Sequence, residues 1–385
     1  MAQFCSVFQQ ILNLFSRTEF EQLAKTHGAE RHARGFRSWT QFVAMMFCHL
    51  GRAQSLREIC DGLRSATGKL SHLGISAPSR ATLAYANEHR PWELYQAVFF
   101  ALLRRCEQIA PKKKLRIKAK LYSLDATTID LCLKLFDWAK FRRAKGAVKV
   151  HLLLDHDGHL PCFAIITDGK THDLRPARTL DLPDGAVLAI DRAYLDYHWL
   201  RQLGERGVTY VTRLKTTTKY NVVRGRPLPA NPGAIVSDED ILLVQAKQYE
   251  FEPLPARRVV MIDPTSGKPL EFLTNNLTWA ASTIAAIYKE RWKVEQFFRA
   301  LKQNLRVKTF VGTSANAVKV QLWTALIAIL VLKYLQFLTR RGWSLSNLVA
   351  MLRFHLFSYR QLIALLERPF APPEEFEFER QLAFS

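Results

Sequence analysis

Hydrophobic residues recur every three or four positions through the first 110 residues, which is the spacing of amphipathic helices. The segments FSRTEFEQLAKTHG, SWTQFVAMMFCHLG and SLREICDGLRSA, and the stretch from Ser79 to Gln108, each open near a Ser or Thr that can cap a helix. The segments 55–65 and 79–89 are joined by a glycine-containing link, as in a helix-turn-helix, and a plain helical bundle fits the pattern equally well. The pattern predicts an all-helical N-terminal domain.

After the lysine-rich connector PKKKLRIKAK, the pattern changes to short apolar and alternating runs. The strand-like segments LYSLDATTIDL, GAVKVHLLLD and LPCFAIITD come first, and GAVLAID and VTYVTRL follow, each after a short helical stretch. This order is typical of a mixed α/β domain. From Lys215 to about Asn276, alternating residues and turn clusters such as RGRPLPANPG predict a β-rich insertion, after which helical spacing returns.

The segment from Val320 to Leu338, VQLWTALIAILVLKYLQFL, is apolar over about the length of a membrane span. Gln321 and Lys333 interrupt it, and no second such segment follows. Because a large core needs some helices that are apolar all round, we predict a buried core helix here rather than a membrane helix.

The net charge of the chain indicates the kind of partner that it binds. Lys and Arg number 55 against 34 Asp and Glu, so the net charge is +21 and the pI is near 9.9. Positions 1–120 alone hold 19 basic and 8 acidic residues. Such a balance suits a partner made of phosphate, and nucleic acid is predicted.

The cysteines and the N-terminus indicate a compartment. Six cysteines are scattered without a CxxC pair, which argues against a zinc site and against a disulfide framework. The first residues, MAQFCSVFQQILNLF, have no basic stretch before their apolar positions, so we expect no secretory signal. We therefore predict a protein of the reducing cytosol.

A helix predicted from Tyr288 to Lys308 has two distinct sides. At about 100° per residue, four polar residues fall within roughly 60° of one another. These are Tyr288, Arg291, Glu295 and Lys302. The apolar stripe consists of Val294, Phe298 and Leu301. In an arbitrary helix, a solvated face with an ion pair would explain such a polar edge. Whether this edge has a function therefore depends on acidic residues elsewhere in the chain.

Two aspartates lie where strands normally exclude them. Asp125 is inside LYSLDATTIDL, and Asp191 ends the apolar run AVLAI. One such Asp would usually be a turn or cap residue, but these two and Glu295 make three carboxylates that could converge. Carboxylates that close raise each other's pKa unless hard divalent cations neutralise them. The sequence therefore predicts a site for one or two Mg²⁺ ions.

These motifs resemble those of the DDE transposases of bacterial insertion sequences, specifically the insertion-sequence-four group, whose catalytic core is ribonuclease-H-like. LDATTIDL matches around the first Asp, AIDRAYLDY matches around the second, and the pattern Y-x2-R-x3-E-x6-K is met in full from Tyr288 to Lys302. The resemblance covers about 120–340, and the N-terminal region looks like the small helical domain that often precedes such cores. It implies an α/β fold: a ribonuclease-H-like mixed sheet with helices, interrupted by the β-rich insertion and preceded by a small all-helical domain.

The expected domain organisation follows from this resemblance. We expect a helical DNA-binding domain over 1–115, the core over 116–214 and 277–345, the insertion over 215–276, and a C-terminal helical tail over 346–385 that could mediate dimerisation.

The activity that the resemblance implies is cut-and-paste DNA transposition. Asp125, Asp191 and Glu295 would hold two divalent ions, Mg²⁺ with Mn²⁺ as a substitute, for DNA cleavage and strand transfer. The partners would be double-stranded DNA, namely the element's terminal inverted repeats and the target. The resemblance also implies a homodimer on paired ends and a cytoplasmic, nucleoid-associated location, with no membrane.

The resemblance also implies DNA contacts. Arg291 and Lys302 would clamp phosphates beside the scissile bond, and Tyr288 would donate a hydrogen bond to another phosphate. Trp292 would either stack on a flipped base or pack as a core aromatic. In the cluster FRRAKGAVK, Lys145 and Lys149 would either contact phosphate or belong to a solvated loop.

Histidines near the third predicted strand suggest a further metal site. His151, His156, His159 and His172 lie near Asp155 and Asp157. Because HDGH is a hairpin turn, we expect these side chains to diverge and to bind no metal.

Two other functions compete with transposition. A structure-selective nuclease of the same fold would need neither a terminal-repeat-binding domain nor the Y-x2-R-x3-E-x6-K pattern. A non-catalytic DNA-binding regulator derived from a transposase would be expected to lose an acidic residue, and all three are present. We therefore rank the nuclease second and the regulator third.

Overall fold

A computed structural model describes residues 5–31, 33, 35–112, 115, 117–132, 135–142, 145–244, 252–304 and 310–372. The helices of these ranges are α1 (Val7–Leu12), α2 (Arg17–Thr26), α3 (Ser38–Leu50), α4 (Leu56–Ser65), α5 (Arg80–His89), α6 (Glu93–Ile109), α7 (Leu174–Ala177), α8 (Tyr197–Glu205), α9 (Ala281–Glu290), α10 (Trp292–Asn304), α11 (Ala315–Leu338), α12 (Leu345–His355) and α13 (Leu362–Glu367). The strands are β1 (Leu121–Leu131), β2 (Lys140–Arg142), β3 (Lys145–Asp155), β4 (Leu160–Asp168), β5 (Val187–Ile190), β6 (Thr209–Arg213), β7 (Tyr220–Gly225), β8 (Ile235–Leu243), β9 (Leu254–Ile262) and β10 (Pro269–Thr274).

The chain divides into two compact units, 1–106 with 303–385, and 107–302. The C-terminal helices α11, α12 and α13 therefore belong with the N-terminal helices, and the boundaries predicted near 115 and 345 differ from this division. The sequence pattern marks where helices start and stop, but it carries no information about which helices pack together.

The first unit is helical, as its spacing predicted. The predicted stretch from Ser79 to Gln108 divides into α5 and α6 around Pro91, which has no N–H to donate and disfavours a helical residue before it. Arg90 is accordingly extended, with ψ 139°. The segments predicted as a helix pair form α4 and α5, which pack on each other and on α3.

The apolar segment 320–338 lies within α11, which packs against α3 and α5. Within the part of the chain that the structure describes, α11 alone is long and apolar enough to cross a membrane, and 83% of its most apolar window is buried inside the protein. His49 Nε2 lies 2.9 Å from Thr324 Oγ1 on α11, so this buried hydroxyl group of the helix has a partner inside the unit. The burial supports the predicted core helix.

The second unit is built on one sheet, with the strand order β2-β3-β1-β5-β6-β10-β9-β8-β7 and with β4 on β3. In its centre, β3 is antiparallel to β1 and β4, whereas β1, β5 and β6 run parallel. The spatial order β4-β3-β1-β5-β6 takes the third, second, first, fourth and fifth of these core strands, which is the predicted ribonuclease-H-like arrangement.

The predicted β-rich insertion forms an antiparallel meander of β7, β8, β9 and β10. Its last strand, β10, pairs with β6, so the insertion extends the central sheet at one edge.

Candidate active site

Strand alternation places Asp125 and Asp191 on the same face of the sheet. One hydrophobic core packs this face of the sheet against Ile284 and Ile287 of α9. It contains Leu121 of β1 and Val187 and Ala189 of β5. The strand residues that alternate with these pack in a second core on the other face. Because side chains alternate along a strand, Asp125 shares the face of Leu121. Asp191 directly follows β5, and Leu124 pairs with Ile190, so the two aspartates stand side by side after this paired position.

The third carboxylate reaches the same place through α9 and α10. The segment predicted as one helix is interrupted at Arg291, where the N–H groups of Arg291 and Val294 donate to carbonyls three residues earlier. Tyr288 is thus on α9 and Glu295 is in the first turn of α10. Val294, Phe298 and Leu301 are all buried, which supports the predicted apolar stripe.

Arg291 joins the carboxylates. Its Nη2 donates to Glu295 Oε1 at 2.6 Å, and its Nη1 lies 3.6 Å from Asp125 Oδ2. The Arg291 side chain is only 10% exposed. A buried guanidinium between two carboxylates offsets part of their repulsion, so Arg291 is the internal countercharge of the site.

The pKa of Asp125 shows that Arg291 offsets the repulsion between the carboxylates only in part. The pKa of Asp125 is raised from 3.8 to about 6, chiefly by burial and in smaller part by the nearby charges of Glu295 and Asp191, against the opposing effects of the Ala126 N–H and Arg291. The charges of Glu295 and Asp191 therefore both act on the Asp125 carboxyl group. Carboxylate oxygens are the hard donors that Mg²⁺ prefers, and an excess of negative charge favours a bound cation, so these residues fit Mg²⁺ or Mn²⁺.

The other residues of the polar edge contact the core rather than open solvent alone. Lys302 Nζ donates to the carbonyl of Thr128 on β1 at 2.9 Å. The ring of Tyr288 packs against Phe272 and lies under the Arg291 guanidinium, 5.5 Å from its central carbon. Trp292 is 48% exposed, so it is not a core aromatic.

The two lysines of the basic cluster FRRAKGAVK differ in what the structure describes. Lys149 Nζ donates to the Thr171 carbonyl and to Asp173 Oδ1, both at 3.0 Å, and its side chain is 17% exposed. Neither alternative predicted for Lys149, a phosphate contact or a solvated loop, included this pairing with Asp173 after β4. The side chain of Lys145 lies outside the described residues.

The prediction that the turn histidines diverge is wrong for two of them. His156 and His159 face Glu290 of α9, and ligand atoms of the three residues lie within 4.8 Å of one another. The sequence pattern missed this cluster because its third member comes from a helix about 130 residues away. His172 is exposed, and His151 is buried on β3, where its Nε2 lies 2.9 Å from Thr167 Oγ1.

His151 is expected to make the protein sensitive to acid. Burial lowers the pKa of His151 from 6.5 to about 4, so its stabilising contribution is complete above pH 6.5 and is lost as the pH falls towards 4. When the pH is lowered from 7.5 to 5, the unfolding free energy of the unsubstituted protein should therefore fall by about 2 kcal/mol more than that of His151→Gln. Urea unfolding at the two pH values measures this, and equal losses would show that His151 is not responsible.

Tyr194 belongs to the site although the sequence argument did not select it. It lies in the short 3-10 turn Arg192–Tyr194 and is buried, with no hydrogen-bond partner for its hydroxyl within the described part of the chain. Burial raises the pKa of Tyr194, and the charges of Asp125, Asp173 and Asp191 add to this effect. The signal in the sequence was its position three residues after Asp191.

Residues 117–331 match the family described as Transposase DDE domain, and residues 4–76 match a domain of unknown function (DUF4372). A Sinorhizobium fredii protein named as a transposase, y4zB, is 32% identical over 77% of this chain and 82% of its own length. The Geobacillus stearothermophilus protein named as a transposase for insertion sequence element IS5377 is 27% identical over 69% of this chain and 70% of its own.

More distant similarities were found as well. The Synechocystis protein named as a transposase for element IS4SA is 23% identical over 66% of this chain and 71% of its own. A solved piggyBac transposase synaptic complex with hairpin DNA covers 95% of this chain and 81% of its own at 10% identity and a TM-score of 0.43, a level at which neither fold nor function transfers.

Proposed function

The chain belongs to the Transposase DDE domain family and is a transposase, and we propose that Asp125, Asp191 and Glu295 form the centre at which it cleaves the ends of its element and joins them to target DNA. The observation that carries the proposal is the convergence of the three acids on one face of the sheet, with the pKa of Asp125 raised to about 6. Burial of this kind destabilises the fold, so it is explained best by function.

Asp125, Asp191 and Glu295 would hold the divalent ions, Mg²⁺ or Mn²⁺. When bound, such ions supply activation of a water or 3′-hydroxyl oxygen and stabilisation of the leaving oxygen. The protein's own residues fix the carboxylates: β1 and β5 set the two aspartates in register, and the buried stripe of α10 anchors Glu295.

Arg291 and Lys302 are proposed to bind phosphates on either side of the scissile bond, and Tyr288 supports the Arg291 guanidinium through its ring. With divalent ions on the acids, Arg291 would be released from neutralising them and could bind DNA. Lys145 and Lys149 stay proposed phosphate contacts, with Lys149 paired to Asp173 in the DNA-free protein.

The element's terminal inverted repeats are the proposed DNA partner, with a homodimer on the paired ends, in the cytoplasm at the nucleoid. The net charge of +21 supports a strong phosphate contribution to binding. The test is incubation of the full chain with its own element ends and Mg²⁺, followed by mapping of the cuts. Cuts at the repeat termini support the proposal, whereas cuts at branched structures of any sequence would favour the nuclease.

Recognition of the repeats is proposed to involve α4 and α5, and Arg80 is exposed at the start of α5. Arg80→Gln is expected to weaken binding and to reduce the slope of log affinity against log salt by about 1, as for the loss of one phosphate contact. Gel shifts of the full chain at several salt concentrations measure the slope. Arg353→Gln, at an exposed arginine of α12, is the matched control; an unchanged slope in the Arg80 variant would place recognition elsewhere.

Trp292 is proposed to hold a flipped base during the step that follows first-strand nicking. Stacking on an aromatic side chain stabilises a base by about 1–3 kcal/mol, so Trp292→Ala should slow the later step by about 10-fold or more and spare nicking. An abasic or mismatched flank should restore part of the rate because unstacking then costs less.

The exposure of Trp292 makes this prediction separable from folding. Since 48% of the residue is exposed, the melting temperature of the variant should change little. Equal slowing of both steps together with a lower melting temperature would show a packing role instead.

A further inference from the structure

A second cluster of ligating side chains lies beside the three acids. His156 and His159 are in the turn between β3 and β4, and Glu290 is the last residue of α9. One ligand atom from each lies within 4.8 Å of the others. His156 is 2% exposed, and the side chain of Glu290 is 30% exposed. The proposed transposition chemistry uses none of these three residues.

Ser123 holds the imidazole of His156 in a fixed orientation. Its Nε2 lies 2.7 Å from Ser123 Oγ on β1, two residues before Asp125. With the Nε2–H donating to Ser123, Nδ1 presents its lone pair towards Glu290. Metal-binding histidines commonly use one ring nitrogen for the metal and the other for an orienting hydrogen bond of this kind.

The spacing of the facing atoms suits a tetrahedral ion. His156 Nδ1 lies 3.6 Å from Glu290 Oε2, which is longer than an ordinary hydrogen bond. Two ligands at about 2.0–2.1 Å from a tetrahedral Zn²⁺ are about 3.4 Å apart. A cation between the imidazole and the carboxylate therefore needs little movement of either side chain.

The backbone of His159 also favours a built site. Its φ is +54°, in the left-handed region, where His is enriched together with Asn and Asp, and it continues the turn that Gly158 begins at φ +69°. In this turn, it brings a second imidazole to the side of Glu290.

We propose that His156, His159 and Glu290 bind a cation of the Zn²⁺ class, separate from the divalent ions of the three acids. Two imidazoles and one carboxylate suit Zn²⁺, whereas Mg²⁺ prefers an all-oxygen set, so the two neighbouring sites select different metals. A three-residue set of this kind leaves the fourth position to water.

The cation connects the β3–β4 turn to the C-terminal end of α9. Glu290 is followed directly by Arg291, the countercharge of Asp125 and Glu295. Metal binding at the turn therefore fixes the helix end from which Arg291 projects, and it acts on the catalytic centre as a positioning element.

Cobalt titration tests the proposal, because Co²⁺ in a tetrahedral nitrogen and oxygen site absorbs visible light far more strongly than octahedral Co²⁺ on carboxylates. The full chain carrying Asp125→Asn is stripped with a chelator and titrated with Co²⁺. His159→Asn and Glu290→Gln are added separately, and His198→Asn, at an exposed histidine of α8, is the matched control. Asn tolerates the positive φ of His159, so that variant should keep the fold of the turn.

The expected result is one strongly absorbing Co²⁺ per chain in the His198→Asn control, and Zn²⁺ should displace it. The affinity for Co²⁺ should be at least about 10-fold lower in His159→Asn and in Glu290→Gln. Zn²⁺ should also raise the melting temperature of the control protein and leave that of His159→Asn unchanged. Equal Co²⁺ absorption in His159→Asn and the control, or none in the control, would overturn the proposal; the latter result would leave an ordinary His–Glu ion pair.

Discussion

Replacing Asp125, Asp191 or Glu295 by the matching amide is expected to slow cleavage of the element ends by at least about 10³-fold, because each amide removes a negative ligand of the metal centre. Binding to the ends should change by less than about threefold, since affinity comes mainly from phosphate contacts elsewhere. Cleavage rates at saturating protein, with gel shifts on the same DNA, measure the two effects separately.

Folding provides the control for this prediction. The pKa of Asp125 is raised to about 6 in the fold, so its ionised form destabilises the metal-free protein at neutral pH. Asp125→Asn should therefore raise the melting temperature without divalent metal while it abolishes cleavage. A variant that cleaves at a rate close to that of the unsubstituted protein, at matched metal concentration, would remove that residue from the centre.

Arg291→Gln is expected to lower the unfolding free energy of the metal-free protein by about 3 kcal/mol, because it leaves Asp125 and Glu295 without their buried countercharge. Saturating Mg²⁺ should then raise the melting temperature of the variant more than that of the unsubstituted protein, since the ion supplies the lost positive charge. Thermal unfolding with and without Mg²⁺ measures both.

A matched control for Arg291 lies on the same helix. Arg299 of α10 is exposed, and Arg299→Gln should leave both melting temperatures nearly unchanged. If Arg291→Gln and Arg299→Gln gave the same small effects, Arg291 would be a solvated cation rather than part of the centre.

The sequence predicted those parts of the fold that depend on local patterns. Strand alternation around Asp125 and Asp191, the apolar stripe of Val294, Phe298 and Leu301, and the buried helix over 320–338 all follow from spacing alone. The two aspartates could be paired in advance because Asp125 lies inside one apolar strand segment and Asp191 directly follows another.

The features that were missed depend on contacts between distant segments. No spacing rule shows that Glu290 faces His156, that Asp173 neutralises Lys149, or that α11 packs with α3 and α5. The interruption at Arg291 was missed as well, because Trp292, Lys293 and Val294 continue the helical pattern after it and the sequence has no Pro or Gly there.

Anomalous diffraction from Mn²⁺ in crystals of the protein with a cleaved element end tests the central claim most directly. The account predicts Mn²⁺ peaks in contact with the carboxylates of Asp125, Asp191 and Glu295 and with the terminal phosphate of the DNA. Mn²⁺ peaks remote from these carboxylates, with the DNA terminus seated at another surface of the protein, would contradict it.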